Sequence, residues 1–347
     1  MTSYISTQSI SSAMRQSILQ MQSELASSET ELSTGNYADI GLTLGAQTGV
    51  DVSLQSETSL LQTITTTNQT VTTRLSTTQT ILGNLQSNAQ DLLNSLLENN
   101  GSTSNASTIQ ATGQSDLQNL ISGLNTTLTG DYIFGGTNTS TQPITDYYAT
   151  GAANKTSVDN AFLAAFGMSQ TSPNVSTISG TSMQNFLDTQ FASLFQGTNW
   201  STNWSSATNQ TLTNQISESQ TANTSVSANN TAFQQLAQAY TMVADLGTQN
   251  LSSSAYQAVT STARGLLTSA ISNLVEVQAS TGMVQSDVSS ASNQMSLQMN
   301  ILSTQIGNLE SVNSYEISTR VSDLQTQIET SYSLTSQLQQ LSLVKYL

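Results

Sequence analysis

Cysteine and histidine are both missing from the 347 residues. Their absence removes disulfides and thiolate metal sites, and with them the residues on which nucleophile–base pairs, haem pockets and most zinc sites depend. Charge is also scarce, at 8% of the chain, and it is one-sided: six basic residues face 21 acidic ones, for a net charge of −15. The six, Arg15, Arg74, Lys155, Arg264, Arg320 and Lys345, are scattered, so no patch can neutralise a run of phosphates and no nucleic-acid partner is expected. No stretch approaches the roughly 20 apolar residues of a membrane span, which predicts no membrane insertion. The first thirty residues alternate apolar with polar and hold no continuous apolar run. If the chain is exported, the expectation is therefore a route without a cleaved signal peptide.

Catalytic patterns are equally sparse. Gly135-Gly136 has no third glycine at a phosphate-cradling spacing, and no glycine precedes Lys155-Thr156. Carboxylate pairs are the one catalytic option left. Glu29 and Glu31 fall on a helix surface, and Asp131, Asp146, Asp159 and Asp188 are spread without pattern, so they read as solvated acids. No cofactor, no metal and no enzymatic activity are expected.

What the chain does have is heptad periodicity at both ends. Met14, Ile18, Met21, Leu25, Ser28 and Leu32 alternate steps of four and three, which sets them on one seam of a helix from about Ile10 to Thr34. Gly35 supplies a left-handed stop, and the four glycines between Gly35 and Gly49 predict an extended connection. A longer seam follows at Val50, Leu54, Glu57, Leu61, Ile64, Asn68, Val71, Leu75, Thr78, Leu82, Leu85, Ala89, Leu92 and Leu96, a helix of about 70 Å at 1.5 Å per residue. Ser104 or Asn105 caps a third helix, striped by Leu117, Leu120, Leu124 and Leu128 and stopped by Gly130. The carboxy-terminal half mirrors this with Val259, Ala263, Leu266, Ala270, Leu274, Val277, Thr281, Val284, Val288, Ala291, Met295, Gln298 and Leu302. A last helix carries Ile317, Val321, Leu324, Ile328, Leu334, Leu338 and Leu341.

Between Asp131 and about Asn230 the heptads vanish, while both prolines, both tryptophans and six of the seven phenylalanines appear. This stretch reads as an insertion with its own small core. The predicted fold is mainly α: a long antiparallel coiled-coil rod formed by the N- and C-terminal helices, with a central α+β or β-rich insertion. The predicted divisions are 1–49 (assembly helix and connection), 50–130 (rod helices), 131–230 (surface-exposed insertion), 231–312 (rod helices) and 313–347 (assembly helix). Several seam positions are Ser, Thr, Asn or Gln, so an isolated terminal helix is marginal in water and is expected to fold against identical neighbours. The implied partner is a second copy of the chain.

The N-terminal seam followed by Leu32-Ser33-Thr34-Gly35, the long second helix, and the stretch Ile328-Glu329-Thr330-Ser331-Tyr332 running to Leu341-Ser342-Leu343-Val344-Lys345-Tyr346-Leu347 resemble the flagellin superfamily. Within it, Gly130-Asp131-Tyr132-Ile133-Phe134-Gly135-Gly136-Thr137-Asn138-Thr139 is similar to the G-x-Y-x-F-x-G-x-x-T element of hook–filament junction proteins, with Gly130, Tyr132, Phe134, Gly136 and Thr139 at the motif positions. Gly167-Met168-Ser169-Gln170, Phe186-Leu187-Asp188 and Asn199-Trp200 to Trp204-Ser205-Ser206 resemble the alphaproteobacterial type of flagellar hook-associated protein. The connection after Gly35 departs from both families in lacking their Arg- and Asp-rich run.

The resemblance implies a bacterial, extracellular structural subunit. It implies export in the unfolded state through the flagellar type III apparatus, a dedicated export chaperone, and assembly as a ring between the other hook-associated protein and the flagellin filament. Val71, Leu75, Leu82, Leu85, Leu92, Val277, Val284 and Val288 are then the rod core, and Met14, Ile18, Met21, Leu25, Leu334, Leu338 and Leu341 the polymer contacts. A flagellin-like filament subunit and an exported adhesin or carbohydrate-binding fibre are the alternatives, the latter resting on the Tyr and Trp residues of the insertion.

Overall fold

A computed structural model describes residues 7–99 and 101–344, with side chains described over 9–99 and 101–337. The chain is mainly helical and falls into two compact units, Met1–Thr63 with Met295–Leu347, and Ile64–Gln294.

In the first unit α1 (Thr7–Thr34) packs along α10 (Ser314–Val344). Gly35 ends α1 as expected, at φ +76, its N–H bonded to the Glu31 carbonyl at 2.8 Å. The chain is then strapped to the segment just before α10: Tyr37 N–H donates to the Glu310 carbonyl and Val312 N–H to that of Gly35, both at 2.9 Å. The connection that the glycines predict to be extended is instead helical. Asp39 caps α2 (Ile40–Leu44) by accepting from Leu42 N at 2.9 Å, and a 3-10 turn, Gly45–Gln47, leads into α3 (Thr48–Asn99). One well-placed cap outweighs the low helix propensity of glycine over so short a segment.

The second unit contains most of α3, then α4 (Ala106–Leu124), the hairpin β1 (Thr127–Leu128) and β2 (Asp131–Tyr132), α5 (Ala153–Phe166), α6 (Gly180–Phe186) and α7 (Gly197–Asn203). A second hairpin, β3 (Thr213–Gln215) with β4 (Thr221–Asn223), precedes α8 (Thr231–Asp245) and α9 (Ser253–Glu310), the latter belonging to this unit as far as Gln294. The insertion is thus α+β.

Here α3 and α9 run antiparallel, because their cross-links climb one helix while descending the other. Asn68 Nδ2 donates to Ser292 Oγ at 3.1 Å, Gln285 Nε2 to Ser76 Oγ at 3.0 Å, and Gln79 Nε2 to the Gln278 carbonyl at 2.7 Å. The heptad seam is what lies between them: Val71, Leu75, Leu82, Leu85, Leu92 and Val288 are all at most 2% exposed, and Val277 and Val284 are half-buried. The polar seam residues Asn68, Thr78 and Thr281 are buried as well. Both threonines satisfy their hydroxyls on the preceding turn, Thr78 on the Arg74 carbonyl at 2.9 Å and Thr281 on that of Val277 at 2.8 Å.

The insertion does not keep a core to itself. Phe162, Phe186, Phe191, Phe195 and Trp204 belong to the same buried cluster as Leu82 to Leu96 of α3, the α4 stripe, α8 and Val259 to Leu274 of α9. Its second hairpin turns back onto the helices, where Ile216 and Ala222 close over Val71, Leu75, Val288 and Ala291. Asn68 pins it there, Nδ2 donating to the Ile216 carbonyl at 2.8 Å.

Candidate functional site

Two places concentrate the residues singled out by sequence. In the first unit the α1 seam presents Met14, Ile18, Met21, Leu25 and Ser28 on one face. Ile18 is 5% and Ser28 3% exposed, while Met14, Met21 and Leu25 are half-buried, so this face is already partly covered within one chain. Across from it α10 buries Ile317, Leu324 and Ile328. Gln22 Nε2 donates to Tyr332 Oη at 3.0 Å. Leu334 is 46% exposed; the side chains of Leu338 and Leu341 lie outside the described residues. The apolar surface left open is elsewhere on this unit. Leu19, Val50, Val52, Leu297, Ile301 and Tyr315 are each more than half exposed, and Leu297 and Ile301 stand four residues apart on one helix face. Leu97, Leu163 and Met283 of the second unit are more than half exposed as well, and exposed apolar side chains of this kind do not by themselves mark an interface.

The start of α3 explains why Val50 is open. The predicted seam continues through Val50 and Glu57, yet Asp51 is the buried residue, at 2% exposure, and Val50 is 55% exposed. Gln55 Nε2 donates to Asp51 Oδ2 at 3.1 Å and to Glu310 Oε1 at 2.6 Å. This polar link sets which face of the first turns points inward, and it lies one residue off the apolar register.

The second place is the corner Gly130–Thr139. The sequence puts a helix stop at Gly130; the structure ends α4 earlier, at Leu124. Asn125 there both donates to the Ile144 carbonyl at 2.8 Å and accepts from Ile144 N–H at 2.9 Å, which draws the chain off the helix axis. Thr129 (φ 54) and Gly130 (φ 94) instead form the tight turn of the β1–β2 hairpin. Tyr132 N–H donates to the Thr139 carbonyl at 2.8 Å, closing the motif on itself. Phe134 is fully buried edge-on against Phe233, with centroids 5.8 Å apart, and its carbonyl accepts from Ala228 N–H at 2.8 Å.

Gly136, at φ +66, is required twice over. Its backbone is left-handed, and a Cβ there would press on the Thr208 side chain and sit 2.6 Å from the Gln210 carbonyl. Thr208 Oγ1 in turn accepts from Thr137 N–H at 2.8 Å. The motif is thus a stitch: it fastens the exit from the rod helices to the return of the insertion at 205–210 and to the entry into α8.

A polar cluster ties α5 to the end of α8. Lys155 Nζ lies 2.8 Å from Asp159 Oδ1 and 3.0 Å from Asp245 Oδ2, and Tyr147 Oη donates to the same Asp245 oxygen at 2.7 Å. Burial drives the Tyr147 phenol well above its ordinary range, with the Asp245 carboxylate adding to the shift. The ammonium of Lys155 is raised despite its partial burial, because Asp159 and Asp245 hold it. Of the aromatics offered as a sugar-binding face, Trp200 at 2%, Trp204 at 0% and Tyr147 at 0% exposure are buried, which leaves Tyr148 exposed and Tyr132 half-buried. Among the described residues no group of three or more acids stands close enough to hold a metal ion, and no helix is long and apolar enough to cross a membrane.

Long helices near the two ends of the chain that pack on each other, joined to an α+β insertion, define a helical-rod fold. The comparisons give the family. Residues 5–139 match the bacterial flagellin N-terminal helical region and residues 265–347 the bacterial flagellin C-terminal helical region, together more than half of the chain. The chain belongs to the flagellin superfamily, as a filament-type structural subunit of the bacterial flagellum, an extracellular component that polymerises with copies of itself. No curated protein matches it.

Proposed function

We propose that the protein is a hook–filament junction subunit, seated as a ring between the other hook-associated protein and the flagellin filament. The observation that carries this reading is the Gly130–Thr139 stitch. Its five motif positions resemble those of the junction branch, and its bonds anchor the insertion to the rod helices. A subunit that bridges two tubular lattices of different mechanics benefits from an insertion that cannot swing. In this reading 1–49 and 313–347 are the assembly segments, with Met14, Ile18, Met21, Leu25, Leu334, Leu338 and Leu341 completing contacts with neighbours. Residues 50–130 and 231–312 are the rod, and 131–230 the insertion. Export runs through the flagellar type III apparatus with a dedicated chaperone. The absence of cysteine suits a chain that must stay threadable.

The two flagellin matches favour a second reading, a filament subunit present along the whole filament. Deleting the gene separates them. A junction subunit leaves intact hooks and sheds full-length flagellin into the medium, and immunogold label on the complemented strain is confined to the filament base. Label along the filament length would overturn the junction reading.

A further inference from the structure

Four aromatic rings in the second unit form a path from the core to the surface. Trp200 stacks on Trp204 with centroids 5.6 Å apart and planes 9° apart, and Trp204 stacks on Tyr147 at 5.5 Å and 20°. Tyr147 meets Tyr148 edge-on at 5.3 Å. The two indoles and Tyr147 are sealed from solvent, whereas Tyr148 is 39% exposed. These contacts pack the insertion, but core packing does not account for how the polar atoms along the path are partnered.

Trp204 Nε1 is buried with no hydrogen-bond partner among the described residues. Trp200 Nε1 donates at 2.9 Å to Asn229 Oδ1, an amide oxygen that is a poor base. An oxidised indole here therefore has nowhere to send its N–H proton, and the missing electron stays mobile. Tyr147 differs: its hydroxyl already points at the Asp245 carboxylate, 2.7 Å away, so it can give up an electron and a proton together.

We propose that Trp200, Trp204, Tyr147 and Tyr148 form an oxidation relay that moves an electron vacancy out of the buried indoles to the surface phenol. A one-electron oxidant, such as the carbonate radical, takes one electron from an indole and is itself reduced. Tyr147 returns an electron to the indole, its O–H bond breaks, and the proton passes to Asp245, leaving a neutral phenoxyl. Tyr148 then reduces that phenoxyl, Tyr147 recovers the proton from Asp245, and the Tyr148 proton goes to water. The net change is one electron to the oxidant and one hydrogen atom lost from Tyr148, where a solution donor such as ascorbate replaces it. Both tryptophans end unoxidised.

Both tryptophans of the chain lie on this path, so the vacancy can be created there selectively. The full-length protein is photoionised at the red edge of the indole absorption, with a cobalt(III) ammine in solution to consume the ejected electron, and followed by transient absorption. In the unaltered protein the indole radical signal gives way to a tyrosyl signal, and peptide mapping finds Trp200 and Trp204 intact. In Tyr147→Phe, which keeps the ring and removes one hydroxyl, the tyrosyl signal is lost and oxidised tryptophan accumulates. Should that variant not fold, Asp245→Asn, which keeps the phenol but removes the proton acceptor, is expected to show the same loss. Indole radicals that decay equally fast with and without the Tyr147 hydroxyl, or without the Asp245 carboxylate, overturn the relay.

Discussion

Asp116, midway along α4, gives the sharpest test of the second unit's energetics. The residue is 7% exposed, and its Oδ2 has no hydrogen-bond partner among the described residues. Burial, and after it the Asp91 carboxylate on α3, raises its pKa from 3.8 to about 7. From α8 it is faced by Tyr240, whose buried hydroxyl is likewise unpartnered and whose phenol is raised well above its ordinary value by burial and by Asp116 itself. An acid that holds its proton more tightly when folded contributes stability at low pH, and that contribution disappears as pH rises through the folded-state value. Here the loss spans from about pH 4 to about pH 7.

At about 1.4 kcal/mol per pH unit the whole span amounts to at most about 4 kcal/mol, of which about 2–3 kcal/mol falls between pH 5 and 7. Asp116→Asn keeps the shape and cannot ionise. Urea unfolding of the full chain, followed by tryptophan fluorescence, reports this unit, since Trp200 and Trp204 both lie in it. The variant is expected to gain on the unaltered protein by about 2–3 kcal/mol from pH 5 to 7. Asp91→Asn should recover only the smaller part of that gain. Stability profiles of the two proteins that stay parallel across this interval would refute the reasoning.

Three further outcomes follow from the geometry. Gly136→Ala forces a side chain into a left-handed position against Thr208 and Gln210, so it should cost more than about 1 kcal/mol and open the 131–230 segment to limited proteolysis, whereas Gly151→Ala, with φ +75 but open space around it, should show the backbone penalty alone. Asn68→Leu leaves the Ile216 carbonyl without its donor; the expected loss is about 1–3 kcal/mol, with faster amide exchange confined to the β3–β4 hairpin, and unchanged exchange there would count against the anchor. In a sample proven monomeric by light scattering, amides of α1 and α10 should exchange nearly as fast as in an unstructured peptide, and protection should rise on polymerisation; strong protection in the monomer contradicts folding on assembly.

The parts of the fold that were legible in sequence are those whose burial has a period. From Leu61 to Leu96, and from Val259 to Leu302, every seam position named from the heptads is buried or half-buried, because a long helix packed along one side must bury one stripe whichever elements cover it. The first turns of α3 escaped by one residue, since Asp51, Gln55 and Glu310 decide that face and hydrogen bonds have no hydropathy. Helix α8 does carry a stripe, Phe233, Leu236, Tyr240 and Val243 at steps of three and four, but the sequence gives no sign that Gln238, Thr241 and Met242 on its other sides are buried as well. The Tyr147–Lys155–Asp245 cluster was illegible for a different reason, joining residues 90 or more positions apart that only the folded insertion brings together. The stitch was recognisable as a string, but its purpose depended on Thr208, which carries no signal of its own.

The threonines inside the α3–α9 seam have a mechanical meaning. Because Thr78 and Thr281 answer their hydroxyls on their own helices, drawing the two helices apart strands neither of those hydroxyls; the bonds that part there are those of Gln79 to the Gln278 carbonyl and of Gln285 to Ser76. Opening the seam there exchanges two side-chain bonds for bonds to water, while the threonine layers wet only hydrocarbon and keep their own bonds.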